Sequence, residues 1–565
     1  MTNVYHTERT SFVARLYSPV TRWEVALYCL FAAILIAERF VLTGGPSLSN
    51  DSYQYISVAS NLAAGQGPQT SLIYFDTEQS WQRVPAPLTT FPLAYPAAIA
   101  SLYLLGMDPA TAGFAVSALA GILLVPLIYW GARLLNCSGF VTRLLLLGLI
   151  VNAWFAFYSV AVRTESLFTL VSTAALLALM TALTQRENDG KYLAWLITAH
   201  ILIGLAYWIR YAGLFLFCAI GLYFVLSLWR QREAVTWQAL VGLGLSGGII
   251  TTGMLRNFMY VGTWKGGNDK VASRPLFDVG QNYVLQFHHL FMGGVAQPRL
   301  WLVDVLFLLG ALVMAGMASR HILSAFRFRG SSPSVLAGNL LGTYILVYCG
   351  AILYLGKFSV IDIDPRMFYP LLPSFLLMAG LFLSPLTLSQ HPSKFRLMVL
   401  VLAVLYFVNN GYHYLTPEKP APHQVLAQQL SAESNTSANL MAWIAQHVPP
   451  ETTIVANEGQ GAGYLLQRRT VSLVSDRYSS QVWDEDAIRR TLSTYRATYL
   501  FMFKERKDGD QVISKSSFLN GLTEGRIPSW LELATQNSEV IILRKLINWN
   551  SASLASIHAE PVKAQ

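Results

Sequence analysis

The 565-residue sequence predicts a mainly α, polytopic membrane protein with about eleven transmembrane helices and a small C-terminal α/β domain outside the bilayer. Three observations lead there. Hydrophobic residues make up 53% of the chain and charged residues only 13%. Soluble domains carry about 25% charged residues, so several wetted surfaces, disorder, collagen and coiled coil are excluded together. Apolar runs of about 20 residues, enough to cross about 30 Å of hydrocarbon, recur along residues 1–416. The net charge of +9 lies wholly in those residues, because 417–565 hold 15 Lys/Arg and 15 Asp/Glu. A nucleic-acid-binding chain would carry its excess in the polar part, so the charge reads as a topology signal and no nucleic acid is expected as a partner.

The apolar runs fall at 24–43, 111–132, 144–162, 165–184, 192–209, 211–229, 235–255, 300–319, 335–356, 367–386 and 397–415. Residues 92–106 are apolar but short and open at a proline, which reads as a re-entrant or interfacial helix. The first run is too long for a removable signal peptide and lacks a small-residue cleavage site. With the N-terminus inside, the inner turns hold 14 cations against 5 acids and the outer side of residues 1–416 is balanced. This agrees with the excess of Lys and Arg in cytoplasmic loops. The expected location is the inner (plasma) membrane, with the N-terminus cytoplasmic and the C-terminal domain on the far side.

The expected division is a membrane domain over 1–416 with outer loops at about 44–110 and 256–299, a linker over 417–437 rich in Pro, Gln and Ser, and an outer α/β domain over 438–565 with a frayed tail. In the last, Leu440–Val448 has helical spacing and ends at Pro449-Pro450. Strand-like runs follow at Thr453–Ala456, Thr470–Val474, Thr498–Phe503 and Val540–Leu543, with a helix at Asp484–Tyr495. The four cysteines, Cys29, Cys137, Cys218 and Cys349, lie in or beside apolar runs, form no C-x-x-C and read as packing residues.

Ionisable groups beside a membrane are costly and call for a functional hypothesis. Under this topology Asp51, Glu165, Arg210, Arg256, Lys265, Asp362, Asp364 and Arg366 all sit at outer helix ends. Carboxylates and several cations next to lipid suit a substrate with an anionic phosphate and an apolar tail. Asp51, just past the first span in Ser-Asn-Asp-Ser-Tyr-Gln-Tyr, reads as a helix cap, as a general base, or as both. Glu165, in Arg163-Thr-Glu165-Ser, reads as a cap paired with Arg163 or as a second carboxylate for a metal or acceptor. Arg366 sits in a first turn capped by Asp364-Pro365; it either snorkels or grips phosphate in bidentate fashion. His288-His289 diverge by about 100° on a helix, so at most one of them, His288, would ligate a metal. No H-E-x-x-H, G-x-S-x-G or P-loop is present.

An ordered set of motifs resembles the GT-C glycosyltransferases that use polyprenyl-phosphate sugars, in particular the protein-mannosyltransferase-like enzymes and the lipid A aminoarabinose transferase. The set comprises Asp51-Ser-Tyr53-x-Tyr55 followed by Asn61-Leu-Ala-Ala-Gly65, then Leu88-Thr-Thr-Phe-Pro92-Leu-Ala-Tyr95-Pro96 and Arg163-Thr-Glu165-Ser-Leu-Phe168. Arg210-Tyr-Ala-Gly213, Arg256-Asn257 with Gly262-Thr-Trp-Lys265-Gly266, and Arg366-Met-Phe-Tyr369-Pro370-Leu-Leu-Pro373 complete it. It covers most of residues 20–385. The resemblance implies inverting transfer of one sugar from a polyprenyl-phosphate donor to a lipid, glycan or protein acceptor on the outer face. It implies Asp51 and Glu165 as catalytic groups, and Arg366, Arg256, Lys265 and Arg210 at the donor phosphate. Tyr53, Tyr55, Tyr95, Glu78 and Tyr369 would then line the substrate. Many members pair two adjacent acids, whereas Asp51 stands between Asn50 and Ser52. A divalent metal would therefore need Glu78 or Glu165 to help.

Two other readings compete. A transporter or flippase of lipid-linked sugars would show inverted repeats and broken midplane helices, and neither is evident. An outer-face ligase or polymerase of lipid-linked glycans would lean on Arg and His rather than on an Asp directly after span one.

Overall fold

The computed structural model describes residues 18–74, 80–185, 188–231, 237–266, 273–293, 333–359, 362–388, 403–413, 421–432, 440–474, 481–505 and 511–546. The chain forms two compact units. One comprises residues 1–68 and 88–419, the other 69–87 and 420–565.

The first unit is helical. Its elements are α1 (Arg22–Leu42), α2 (Asn50–Ala63), α3 (Ala94–Leu104), α4 (Pro109–Leu134), α5 (Gly139–Ile150), α6 (Ala153–Val160), α7 (Thr164–Thr184), α8 (Asp189–Ile209), α9 (Gly213–Gln231), α10 (Trp237–Val261), α11 (Leu276–Met292), α12 (Pro333–Phe358), α13 (Pro365–Phe368) and α14 (Leu372–Leu388). A further helical stretch covers 403–413. Among the described residues seven helices are long and apolar enough to cross a membrane, or eight if the bent pair α5–α6 counts as one. Of the eleven expected spans, 300–319 lies outside the described residues and 397–415 lies partly outside them. The run 144–162 is bent by 51° where α5 meets α6. The run 211–229 forms the shorter apolar helix α9. The apolar stretch 92–106 yields α3, 11 residues long, or about 16 Å, too short to cross.

Small residues set the close approaches. A Cβ on Gly113 of α4 would meet Val162 Cγ1 at 2.4 Å, and one on Gly121 would meet Ser159 Oγ at 2.2 Å. These glycines let α4 lie directly against α6 and the segment leading into α7. The core beneath them is formed by residues such as Leu124, Ile128, Leu149, Phe155, Phe168 and Leu372. By contrast, α1 is mostly open on its flank, with Leu27, Leu30, Ile34 and Val41 exposed, as a lipid-facing helix requires.

The second unit is an α/β sheet domain. Among the described residues its main sheet has six strands in the order β2-β5-β4-β6-β8-β7, and β1 (Gln69–Thr70) and β3 (Ala86–Pro87) pair separately. Strands β2 (Leu72–Tyr74), β5 (Arg469–Ser472), β4 (Thr453–Ala456) and β6 (Tyr499–Phe503) run parallel. β7 (Leu531–Gln536) and β8 (Val540–Lys545) complete the sheet antiparallel. The four expected C-terminal strands are present. Two boundaries change. Residues 69–87, expected as part of the first loop of the membrane domain, supply an edge strand here, because Leu72, Ile73 and Tyr74 pair with Thr470, Val471 and Ser472. The expected linker contains a helix, α15 (Pro422–Ser431), whose Leu426 and Leu430 are buried with Leu440, Ile444 and Ile454.

Candidate functional site

The site begins with a short backbone clasp. After α1 the chain turns through Gly44 and Gly45, and Ser47 pairs with the residues between α6 and α7: Ser47 N donates to Val160 O (3.2 Å) and Val162 N to Ser47 O (3.0 Å). This clasp brings the start of α2 beside the start of α7. Arg163 then donates from Nε to Ser49 Oγ at 3.1 Å.

Ser49 caps α2, and its own N–H donates to Ser52 Oγ (2.9 Å). The capping position is thus taken, and the Asp51 carboxylate in the first turn is available for another partner. Its Oδ2 accepts from Arg366 Nη1 at 3.2 Å, across 315 positions of sequence. Arg366 lies in the short helix α13 behind Pro365 at N1, and Asp364, at the N-cap, makes no capping hydrogen bond. Asp364 instead places Oδ2 at 2.8 Å from Arg366 Nε. One guanidinium therefore holds two carboxylates. Glu165, in the first turn of α7, accepts from Arg210 Nη1 at 2.6 Å, with a side chain 4% exposed. Arg210 is placed by the end of α8, where the helix stops and α9 begins three residues later.

Aromatic rings surround these pairs. Tyr53, Tyr55, Tyr95 and Tyr369 are buried. Tyr55 meets Tyr95 edge-on at 5.3 Å and Phe91 at 5.0 Å, and Tyr369 meets Tyr158 at 4.7 Å. Tyr95 Oη is 2.9 Å from Ser117 Oγ and donates to Gly113 O at 3.2 Å. Burial, with Asp51 and Glu165 nearby, pushes the Tyr55 phenol well above its usual range. Tyr55 is therefore a neutral wall residue. Burial also raises the Asp364 carboxyl, against the lowering effect of Arg366 and Arg210.

The remaining expected residues lie elsewhere or are otherwise engaged. Arg256 donates from Nη2 to Leu88 O (2.7 Å) and from Nη1 to Asn257 Oδ1 (3.3 Å), and it lies 5.1 Å over the Tyr260 ring. Beside it, Asn257 donates to Tyr211 Oη (2.8 Å), which donates to Thr89 O (2.6 Å). This network secures Leu88 and Thr89, the entry to α3, so Arg256 serves a backbone carbonyl where a phosphate was expected. Lys265 is exposed in the turn after α10. Glu78 lies outside the described residues. His288 adjoins His289, which is held by Gln286 (3.3 Å). Among the described residues no three His, Cys, Asp or Glu side chains gather closely enough to hold a metal, and the carboxylates of the cluster are bound to guanidinium groups.

The fold that frames this cluster is shared with known proteins. The PMT family, dolichyl-phosphate-mannose-protein mannosyltransferase, matches residues 89–251, a stretch that includes Glu165 and Arg210. No curated protein matches in sequence. ArnT from Cupriavidus metallidurans, solved with undecaprenyl phosphate, superposes with a TM-score of 0.53 at 13% identity, over 92% of this chain and 98% of that one. The chain has the GT-C fold. The Archaeoglobus fulgidus oligosaccharyltransferase superposes at 0.52 and 12% identity, over 86% and 70%. The mycobacterial arabinofuranosyltransferase AftD superposes at 0.51 and 15% identity, over 93% of this chain but 42% of its own. The GT-C likeness read from ordered motifs thus holds for the architecture.

Sequence reasoning placed Asp364 among the outer charged groups but gave it no individual role beyond a cap, and it gave Arg163 no partner other than Glu165. The signal for Asp364 was available: in Asp364-Pro-Arg366, a carboxylate two residues before a guanidinium is close enough to pair with it. Tyr158 carried no such signal, because it sits in an unbroken apolar run.

Proposed function

We propose that the chain is an inverting glycosyltransferase that moves a single sugar, a hexose or pentose, from a polyprenyl-phosphate donor to a hydroxyl of a lipid, glycan or protein acceptor. It acts at the outer face of the inner membrane, with the N-terminus cytoplasmic. The observation that carries this reading is the Asp51–Arg366 pair, set among buried tyrosines at the ends of apolar helices. The two side chains are each 27% exposed, so ligand can reach them. Two GT-C structures support the donor class: ArnT binds undecaprenyl phosphate, and the Archaeoglobus fulgidus enzyme, which superposes at 0.51, binds dolichol-phosphate and a peptide.

In this mechanism Arg366 exchanges a carboxylate for the donor phosphate. Asp51, released from Arg366, is then free to take a proton from the acceptor. The acceptor oxygen attacks the anomeric carbon, its proton passes to Asp51, and the carbon–oxygen bond to phosphate breaks. The electron pair leaves on the polyprenyl phosphate, where Arg366 stabilises the charge. The test is Asp51→Asn in membranes supplied with a labelled polyprenyl-phosphate sugar. Transfer should fall by about 10²–10⁴-fold, the usual worth of a general base. Unchanged turnover would remove Asp51 from this role.

A further inference from the structure

We infer that Asp364 and Glu165 recognise the hydroxyl groups of the donor's sugar ring, each through the one carboxylate oxygen that the protein leaves without a hydrogen bond. The inference rests on the proposed function and names what the site measures within it.

The argument starts from unfilled valences. Asp364 Oδ1 and Glu165 Oε2 are buried atoms with no hydrogen-bond partner, although the other oxygen of each group is held by a guanidinium. An ionised carboxylate offers about four acceptor sites, and leaving a buried acceptor unfilled forfeits the hydration it had in water, more so when it is charged. Proteins rarely retain such a deficit without a use for it. Both groups belong to one site: Arg366 holds Asp364 together with Asp51 of α2, and the Ser47 clasp and the Arg163–Ser49 bond set the start of α2 beside the start of α7, where Glu165 lies. The Asp364 side chain is 40% exposed while Oδ1 itself is covered, so the group is reached from one side and its unpartnered oxygen faces the other.

The polarity of these atoms decides the ligand chemistry. Both are acceptors with negative charge. A phosphate offers only acceptors and would be repelled by them; it belongs with Arg366. A lipid chain offers nothing. A sugar ring offers several hydroxyl donors beside the phosphate it is attached to. The cluster also shows why charge alone would not select the sugar. Asp51, Glu165 and Asp364 are matched by Arg163, Arg210 and Arg366, so the site is near neutral before the donor arrives. Discrimination must then come from hydrogen bonds to the ring.

Amide variants test this sharply because they keep volume and reverse one valence. In Glu165→Gln the amide oxygen stays on Arg210, and an NH₂ donor takes the place of the free acceptor. Asp364→Asn does the same beside Arg366. The experiment measures binding to the purified full chain in detergent, using undecaprenyl phosphate alone and undecaprenyl phosphate carrying a hexose, a pentose or an aminopentose. The wild type should prefer one sugar-bearing lipid over the bare lipid. Each variant should lose roughly tenfold or more of that preference, the worth of a charged hydrogen bond, read as the ratio of the two affinities, because removing a carboxylate charge beside Arg366 or Arg210 should itself tighten the bare lipid. Variants that keep the full preference overturn the inference and leave the proposed function standing. A wild type that prefers no sugar-bearing lipid overturns the proposed function as well. If Glu165→Gln does not fold, Asp364→Asn, at the more open position, decides alone.

Discussion

At the residue scale the strongest interaction is also the most exposed to damage. Glu165 is almost fully buried and its charge is met by Arg210 at 2.6 Å. Replacing a buried pair with apolar groups can be neutral, but removing one partner strands a charge. Arg210→Met should therefore destabilise the chain by about 3–5 kcal/mol, read as a lower unfolding temperature in detergent. Adding Glu165→Gln to it should restore most of the loss, since an uncharged amide is far cheaper to bury. If the double variant is no more stable than Arg210→Met alone, the pair is not what the site depends on. The sequence made these residues legible as a group, because all lie at the ends of apolar runs. It could not pair them. Glu165 has Arg163 two positions away, yet it binds Arg210 because Arg163 is drawn to Ser49. Likewise the cap position before Asp51 is held by Ser49, which decides against the capping reading of Asp51 only once the structure is known.

At the element scale the informative feature is the break between α5 and α6. Asn152 is fully buried, and its Oδ1 caps α6 by accepting from Trp154 N and Phe155 N, both at 3.1 Å. Its Nδ2 donates to Leu290 O of α11 (2.9 Å) and to Tyr406 Oη (3.0 Å) in the stretch 403–413. One side chain thus turns the backbone and ties three elements together. Asn152→Ala loses the cap and leaves Leu290 O without its donor, a cost of roughly 2–4 kcal/mol. Asn152→Asp keeps the cap acceptor but loses both donors, so it should also destabilise. Thermal unfolding of the two variants checks this; an Asn152→Asp protein as stable as wild type would show that the cap alone matters. Apolar periodicity read 144–162 as one span because a single Asn in a run of Leu, Ile, Val and Phe barely alters it. Caps are local chemistry, and a hydropathy window averages them away.

At the scale of the whole molecule, the C-terminal domain is completed by a segment from the first loop. Strand β2 is three residues long and pairs with β5 nearly four hundred residues later. A run so short has no alternation to detect, and nothing in residues 417–565 shows that the sheet lacks its edge. The expected C-terminal strands were legible for the opposite reason: Thr453–Ala456 and Tyr499–Phe503 are mostly β-branched or aromatic and buried throughout. The insertion contributes core as well as edge. Ile73 and Ala86 are buried with Val455, Val471 and Leu500, and Ser80 Oγ lies 2.6 Å from Tyr495 Oη. Its ends are drawn together where Leu88 N donates to Pro68 O at 3.1 Å. Ile73→Asp in the full chain would bury an unpaired carboxylate in that core and should cost roughly 3–5 kcal/mol. The expected readout is faster limited proteolysis within residues 440–546, a region nowhere near position 73 in sequence. Gln82→Asp is the control, exposed in the same insertion at φ +55, where Asp is tolerated. If Ile73→Asp leaves the C-terminal region as resistant as Gln82→Asp does, the first loop is not part of that domain's core. Faster cleavage with Ile73→Asp alone establishes that the domain is assembled from both ends of the chain.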